Sequence, residues 1–379
     1  MDQPRYVLHS FRSVLPPTQK PQEQALDWLA TAHSRAESLI SPDSPLADRE
    51  RMKKLFHRFG CKPSQVAQRY SVHQDFTHLD FDQMEIFHLS RNPKGAGAST
   101  RTGIFSRVVS EVFDRFYRED SVPPQALFHV TCTGYDSPSG AERVVSRRGW
   151  GHQTEVYHLY HMGCYAAIPA VRIACGLSRP RVDIVHTELC SLHLDPSQHA
   201  PEQMVIQSLF ADGLIRYTIE QRQMETTSES LPGDPSYGLE FVTSRKELLS
   251  NSEDAMTWRA GDHGLEMTLS REVPNLIAQN LLPYLKRLGS YDHNTIFAIH
   301  PGGPRILDQI QEMLELKDSQ VAASRKVLLE RGNMSSATLP HIWKEILEDP
   351  SVAENTQIVS LAFGPGLTLC GNVLRKISL

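Results

Sequence analysis

Residues 295–309 read TIFAIHPGGPRILDQ, an apolar, strand-like run that ends on His300 and passes through two glycines into a helix-like stretch. Glycines at such a turn let a ligand approach the backbone closely. A histidine directly after a strand is most often a packing or turn residue. His300 therefore becomes a candidate for chemistry only if other parts of the chain support it.

The same alternation of strand-like and helix-like stretches extends over the rest of the chain. Strands are predicted at Ala126–Cys132, Val182–His186, Leu214–Ile219, Thr295–His300, Gln357–Ala362 and Leu367–Val373. Helices are predicted at Pro21–Leu39, Ile168–Leu177, Val273–Leu288, Arg305–Leu316, Ser319–Arg331 and Leu339–Leu347. This pattern indicates a layered α/β architecture. The polar segment Glu220–Asp234 predicts a link between two halves, and Arg91–Arg101 predicts an exposed, flexible loop.

Cys164 lies in residues 161–177, HMGCYAAIPAVRIACGL, where a glycine precedes it and a small-residue, helix-like stretch follows. A nucleophile at a strand-to-helix turn has this arrangement. There the helix dipole favours the reactive thiolate, and backbone N–H groups can receive an oxyanion. The alternative is a buried structural cysteine, which is the more common situation.

Asn333 lies in residues 331–337, RGNMSSA, at the start of a predicted helix. Asparagine there is often only an N-cap. The segment AFGPGLTL, residues 362–369, could likewise be only a tight turn between two strands.

Composition excludes several other classes of function. The chain has 379 residues, 40% of them apolar and 22% charged, with a formal net charge of −5. Neither nucleic acid nor a membrane surface is an expected partner, and no stretch reaches the roughly 18–20 apolar residues that span a bilayer. The six cysteines are scattered without paired spacing, so we expect reduced thiols, no metal site and a cytoplasmic location.

Taken together, the motifs resemble the type III polyketide synthases, the chalcone-synthase-like branch of the thiolase superfamily. The segments that carry the resemblance are GCYAA (163–167), AIHPGGPRILDQ (298–309), ERGNMSSA (330–337) and LAFGPGLTL (361–369), with HVTCTGYDSPSG (129–140), VHTELCSLHL (185–194) and QSLFADG (207–213). The resemblance covers roughly residue 50 to the C-terminus. The ELCSLH segment looks most like bacterial alkylpyrone and alkylresorcinol synthases.

The resemblance implies the α/β thiolase fold, five layers in the order αβαβα, made of two related halves at residues 1–225 and 226–379, and a homodimer. It implies that Cys164 carries the acyl group as a thioester, while His300 and Asn333 hold the carbonyl of a malonyl thioester. Decarboxylation of that malonyl unit leaves an enolate, and two neutral donors aimed at its oxygen would stabilise it. The ring of His300 would also help to keep Cys164 as thiolate.

The resemblance also implies a substrate pocket. Phe210 matches a gate between the cofactor tunnel and the cavity, and Met267 stands where relatives have a second gate phenylalanine. Six more residues are predicted to line the pocket: Cys132, Thr133, Cys190, His193, Trp258 and Ser335. The first five stand where the resemblance places other residues in the plant enzymes, and Ser335 belongs to the GNMSSA motif. Bulky His193 and Trp258 would limit chain elongation, although each could equally be a packing detail.

No permanently bound cofactor is expected, and coenzyme A thioesters, acyl-CoA and malonyl-CoA, are the implied substrates. Their phosphates need positive charge. Lys54, Arg58 and Lys62 lie where relatives contact coenzyme A, and Gly302 and Arg305 follow His300. A solvated basic helix face is the alternative for the first three residues. An acyl carrier protein could use the same surface.

Three other functions remain open from the sequence. A ketosynthase that performs one condensation would use the same residues. A cysteine hydrolase with a Cys–His–Asn set is opposed by the HPGGP and GNMSSA contexts. A non-catalytic protein that kept the fold is opposed by the presence of all three reactive residue types. The expected product of a polyketide synthase here is short, such as an alkylpyrone or a resorcinol.

Overall fold

The computed structural model describes residues 4–222 and 237–379. Its strands are β1 Arg5–Val14, β2 Thr18–Pro21, β3 Gln68–Ser71, β4 Ala126–Thr131, β5 Glu155–Tyr160, β6 Arg181–Leu189, β7 Asp212–Arg222, β8 Tyr237–Leu248, β9 Met256–Gly261, β10 Gly264–Leu269, β11 Ile296–Ile299, β12 Gln357–Gly364 and β13 Thr368–Ser378. Its helices are α1 Gln22–Ile40, α2 Arg49–Phe59, α3 Ala98–Phe116, α4 Gly140–Arg147, α5 Ala167–Gly176, α6 Pro201–Leu209, α7 Val273–Leu288, α8 Pro304–Met313, α9 Asp318–Arg331 and α10 Thr338–Glu348.

Nine of these strands form one mixed ladder in the order β11-β12-β13-β8-β1-β7-β6-β4-β5. The two parts of the ladder meet at β1 and β8, which pair only through Val7 with Glu240 and Leu8 with Leu239. Each part repeats one pattern, a parallel pair followed by two antiparallel pairs: β4-β6-β7-β1 in one and β11-β12-β13-β8 in the other. The described chain therefore contains two similarly wound sheets.

Three hydrophobic clusters show how the helices cover these sheets. In the first, α5 and α10 pack between the two sheets. In the second, α1, α2, α3 and α4 cover the outer face of the β4–β7 sheet. In the third, α7, α8 and α9 cover the outer face of the β11–β13 sheet. The result is a five-layered αβαβα arrangement, as the resemblance implied.

Helix α5 suits its central position because its sequence, AIPAVRIACG, is rich in small side chains. Ala167, Ala170 and Ala174 are fully buried, so the helix can approach the sheets closely. Pro169 lies in the first turn, where a missing N–H costs no intrahelical hydrogen bond. The position of α5 matters for the site because the helix begins three residues after Cys164.

Several sequence predictions need correction. Strand β7 runs on to Arg222, so Glu220, Gln221 and Arg222 belong to a strand and not to a link. The rest of the predicted link and the predicted boundary between residues 225 and 226 lie outside the described residues. Residues 91–101 are not a wholly exposed loop. Gly95 and Ala96 are buried there, and Arg101 is a buried residue of α3.

Asn333 also differs from its prediction, because it precedes a short 3-10 turn and not an α-helix. It forms an isolated parallel bridge with Phe210. The predicted segment AFGPGLTL does connect two antiparallel strands, β12 and β13, but its turn packs on Gly163. Long-range pairing of this kind is not visible in local sequence patterns.

Candidate active site

A cavity of about 190 Å³ lies between α6, the β9–β10 hairpin and the turn that carries Cys164. Cys164 lines it together with all eight residues that the sequence predicted for the pocket: Cys132, Thr133, Cys190, His193, Phe210, Trp258, Met267 and Ser335. These nine residues come from both halves of the chain. The fold thus brings the predicted pocket residues together around one thiol.

Cys164 lies in the turn between β5 and α5, and Gly163 sets the direction of that turn. The φ of Gly163 is +86°, which disfavours residues with a side chain. A Cβ atom there would also lie only 2.5 Å from Cδ of Pro365 in the turn after β12. The N–H of Gly163 donates to Sγ of Cys132 at 2.9 Å. These contacts hold this turn, which we call the elbow, against the cavity.

The protonation state of Cys164 differs from the sequence expectation. Burial raises the pKa of the thiol to about 12, and hydrogen bonding by Ser335 only partly opposes this effect. Sγ of Cys164 lies 3.9 Å from Oγ of Ser335. Desolvation is the largest influence on this group, and it favours the neutral thiol over the thiolate.

Asn333 presents one free donor. Its Oδ1 accepts from the N–H of Ser335 at 2.8 Å and from the hydroxyl of Thr338 at 3.4 Å, which fixes the amide orientation. Its Nδ2 is buried without a hydrogen-bond partner among the described residues. The Asn333 side chain also opposes, in part, the rise in the pKa of Cys164 that burial causes. A buried donor without a protein partner can donate to water or to a bound ligand.

His300 shows the same property. It follows β11 directly, is fully buried, and neither ring nitrogen has a hydrogen-bond partner among the described residues. Burial lowers the pKa of the ring to about 3, so the imidazole is neutral and carries one N–H. His300 and Asn333 are not among the residues that line the cavity in the described chain, whereas Ser335, two residues after Asn333, does line it.

Glu188 is a site residue that sequence reasoning missed. Its fully buried carboxylate accepts from the N–H of Cys132 at 3.0 Å, the hydroxyl of Thr133 at 2.9 Å, and both the N–H and the hydroxyl of Ser336. Burial raises its pKa to about 7, against the opposing effect of these donors. Glu188 links the Cys132 strand end to the segment of Asn333 and Ser335. The signal that could have drawn attention to it is a glutamate next to the apolar Leu189 at the end of a strand-like stretch that leads into the ELCSLH segment.

Phe210 is tied to Asn333 by the backbone. The N–H of Ala211 donates to the carbonyl of Asn333 at 2.8 Å, and the N–H of Asn333 donates to the carbonyl of Leu209 at 3.0 Å. The buried guanidinium of Arg69 donates to the carbonyls of Gln207 and Phe210 at 2.8 and 2.9 Å. Arg69, a second residue that the sequence did not single out, thereby orders the predicted gate.

The β9–β10 hairpin covers the cavity. Trp258 donates from Nε1 to the carbonyl of Cys132 at 2.6 Å, and the carbonyl of Met267 accepts from Nε2 of Gln203 at 2.8 Å. His193 packs edge-on against Trp258, with ring centroids 5.8 Å apart. The hairpin belongs to the C-terminal half, yet its polar contacts are with the N-terminal half.

The residues predicted to bind coenzyme A lie outside the cavity lining. Lys54 and Arg58 are exposed on α2, Lys62 is exposed shortly after it, and Arg305 is exposed at the start of α8. Gly302 faces open space, since a Cβ there would meet no atom within 4 Å. The neighbouring Cys61 donates its N–H to Oγ of Ser208 at 2.8 Å, so the end of α2 lies close to the Phe210 segment.

Two other kinds of site are absent from the described residues. They contain no cluster of three or more His, Cys, Asp or Glu side chains arranged to hold a metal ion. None of the helices described combines the length and the apolar character needed to cross a membrane.

Comparison with known proteins agrees with this architecture. Residues 240–378 match the family described as "Chalcone and stilbene synthases, C-terminal domain". The C-terminal type III polyketide synthase domain of Steely1, a type I/III hybrid from Dictyostelium, is 23% identical, with a TM-score of 0.80 over 98% of this chain and 99% of that one. PKS-I from the brown alga Ectocarpus siliculosus is 21% identical, with a TM-score of 0.81 over all of both chains.

These similarities confirm the α/β thiolase fold that the resemblance implied. At 23% and 21% identity, the similarity to these two structures shows the fold alone. The match of the C-terminal domain to a synthase family adds that the chain is an enzyme of the transferase class.

Proposed function

We propose that this chain is a type III polyketide synthase that condenses an acyl thioester starter with malonyl-CoA through an acyl group bound to Cys164. The observation that carries the proposal is a thiol that lines a cavity 3.9 Å from the hydroxyl of Ser335, two residues after Asn333, whose buried Nδ2 has no protein partner among the described residues. Neutral His300 would be the second donor.

The first step is acyl transfer to Cys164. Its thiol loses a proton while the sulfur attacks the carbonyl of the starter thioester, and the coenzyme A thiolate leaves and takes up a proton. The cavity contributes by excluding water, which protects the new thioester from hydrolysis. Because the resting thiol has a raised pKa, proton removal must accompany attack.

The second step is decarboxylative condensation. The malonyl thioester loses CO₂ and leaves an enolate, whose oxygen would accept from the N–H of His300 and from Nδ2 of Asn333. Two donors fixed before the reaction stabilise this charge without reorganisation. The enolate carbon then attacks the thioester on Cys164; the new carbon–carbon bond forms, and Cys164 leaves as thiolate.

Further parts of the proposal concern substrates and assembly. Lys54, Arg58, Lys62 and Arg305 would bind the phosphates of coenzyme A, with Gly302 giving the pantetheine arm access, and an acyl carrier protein is a possible alternative donor. Met267 in place of an aromatic gate favours a fatty starter, and Trp258 and His193 favour few extensions. The product would be a short alkylpyrone or a resorcinol. The enzyme would act as a homodimer in the cytoplasm.

The test is turnover with a panel of acyl-CoA starters plus malonyl-CoA, with products identified by mass. Products that contain the starter and at least two malonyl-derived units would support the proposal. Products that stop after one unit would indicate a single-condensation ketosynthase instead. Release of free acid without any carbon–carbon bond would indicate a hydrolase and contradict the proposal.

A further inference from the structure

Side chains from the N-terminal half support the β9–β10 hairpin at both of its outer edges. Trp258 and Met267 lie opposite each other in the hairpin, and both line the Cys164 cavity. Alternate pairs of an antiparallel ladder direct their N–H and C=O groups away from each other. The carbonyl of Trp258 accordingly accepts from Nε2 of His161 at 2.8 Å. The carbonyl of Met267 accepts from Nε2 of Gln203, also at 2.8 Å.

His161 lies between the end of β5 and the turn that carries Cys164. Its φ is +61°, which is uncommon for a residue with a side chain. Its N–H donates to the carbonyl of Thr131 at 2.9 Å, and its ring lies 5.3 Å from the ring of Tyr135. These contacts hold the unusual backbone conformation, which directs the imidazole towards the hairpin. Backbone strain that is held in this way often serves a functional site.

The hydrogen bond to the hairpin determines the tautomer of His161. A carbonyl oxygen can only accept, so Nε2 carries the proton of the neutral ring. Nδ1 is buried and has no hydrogen-bond partner among the described residues. Within the part of the chain that the structure describes, the ring therefore makes one hydrogen bond, and that bond supports Trp258.

Trp258 is held at a second point by its own side chain. Its Nε1 donates to the carbonyl of Cys132 at 2.6 Å, and the sulfur of Cys132 in turn accepts from the N–H of Gly163. His161 and Gly163 both immediately precede the reactive turn in the sequence. The segment that holds the Cys164 thiol thus also holds the Trp258 wall of the cavity. The distance between the thiol and this wall depends on both contacts.

We propose that His161 is a positioning residue that limits product length, because its hydrogen bond to the Trp258 carbonyl keeps the Trp258 wall close to the Cys164 thiol. The inference rests on the proposed function, since it requires a chain that grows from Cys164. Without this donor, only the indole hydrogen bond holds Trp258 against the N-terminal half. The wall can then move outwards, and the cavity accepts further two-carbon units. His161 does not line the cavity, so it acts through Trp258 and is not a catalytic residue.

The experiment compares products made from malonyl-CoA and the acyl-CoA starter that the wild type converts fastest. The measured quantity is the ratio, by mass, of longer products to the main wild-type product. His161→Asn suits the left-handed backbone, but its amide nitrogen is one bond nearer to the main chain and does not reach the Trp258 carbonyl. Loss of one neutral hydrogen bond should raise the ratio at least about threefold.

Three further variants separate the hydrogen bond from other effects of substitution. His161→Gln places an N–H the same number of bonds from Cβ as Nε2 and should restore the wild-type ratio. His161→Met matches glutamine in length but has no N–H, so it should behave as His161→Asn. The control His152→Asn removes an exposed histidine before β5 and should change nothing.

A double variant tests whether His161 acts through Trp258. In a Trp258→Gly background, His161→Asn should lengthen the products no further, because the wall that it positions is gone. Loading of Cys164 without malonyl-CoA should stay within about twofold of wild type in His161→Asn, since the thiol and its donors are unchanged. This readout separates a change in the wall from general damage to the site.

Two results would overturn the inference. One is a wild-type product ratio in whichever of His161→Asn and His161→Met folds. The other is an effect of His161→Asn that adds fully to that of Trp258→Gly. A wild type that forms no product with any acyl-CoA starter would instead overturn the proposed function.

Discussion

At the scale of single residues, three thiols line the same cavity, yet their surroundings differ. Burial raises the pKa of Cys132, Cys164 and Cys190 alike. The sulfur of Cys132 already accepts from the N–H of Gly163, and the sulfur of Cys190 receives no hydrogen bond that would lower its pKa. Only Cys164 combines a position in the elbow with nearby donors from Ser335 and Asn333. Of the three, Cys164 is therefore the thiol whose thiolate form is best supported by neighbouring donors.

The first prediction concerns this thiol. Cys164→Ala should abolish product formation but leave some decarboxylation of malonyl-CoA, because the enolate donors do not depend on the sulfur. Intact mass should show an acyl adduct on the wild type and none on the variant. Cys190→Ala is the matched control and should retain the adduct. An adduct that persists in Cys164→Ala would assign the nucleophile to another cysteine.

The second prediction concerns the two donors. His300→Ala and Asn333→Ala should each lower the rate of malonyl-CoA decarboxylation by about 10²–10³, in line with other oxyanion donors. The double variant should lose less than the product of the two single effects, because both groups serve one oxygen. The measurement is CO₂ release under single-turnover conditions. Fully multiplicative losses would mean that the residues act in separate steps.

At the scale of elements, the β9–β10 hairpin determines how much space the Cys164 cavity has. The hairpin is a separate two-stranded sheet and does not pair with the nine-stranded ladder. Hydrogen bonds hold it in place. The Trp258 indole N–H donates to the carbonyl of Cys132, and the N–H of Ala98 donates to the carbonyl of Asp262 at 2.9 Å. Substitutions in it can therefore change the cavity while the two main sheets stay intact.

The third prediction tests the hairpin's control of product length. Trp258→Gly should enlarge the cavity by most of an indole ring and release longer products from the same starter. Met267→Phe should shift preference towards smaller starters, because an aromatic ring narrows the entrance. Product masses and relative kcat/KM over a starter series measure both effects. A folded, active Trp258→Gly with an unchanged product distribution would show that this side chain does not limit elongation.

At the scale of the whole molecule, many histidines are buried or half-buried. Burial lowers the pKa of seven of them to between about 3 and about 4: His33, His73, His129, His186, His193, His300 and His341. Two buried carboxylates oppose this trend, since burial raises the pKa of Glu188 to about 7 and of Asp212 to about 6. The histidines are the larger group and should dominate the response to acid.

The fourth prediction follows from the sign of these shifts. A histidine with a lowered pKa in the folded state binds its proton more readily once unfolded, so stability is complete above about pH 6.5 and is lost as the pH falls. The Tm should therefore decrease steadily between about pH 6.5 and pH 4. His341→Gln should flatten that slope, whereas the exposed control His152→Gln should not. A Tm that does not change over this range would contradict the prediction.

The amino-acid sequence by itself indicated about half of the described elements and the turn that carries Cys164. Alternating apolar patterns predicted the central strands β4, β6, β7, β11, β12 and β13 within a few residues. The glycine before Cys164 and the motifs around Asn333 and Phe210 predicted a pocket that the structure assembles. These properties depend on neighbouring residues, so local patterns and motif resemblance can reveal them.

Only the tertiary structure decided how distant parts act on one another. The carboxylate of Glu188 joins segments that are far apart in the chain, since it accepts from the N–H of Cys132 and from the N–H of Ser336. The β9–β10 hairpin covers a cavity whose thiols come from a much earlier part of the chain. The raised pKa of Cys164 likewise arises only when several elements exclude water together. Burial and long-range contact are properties of the packed molecule, and no short stretch of sequence contains them.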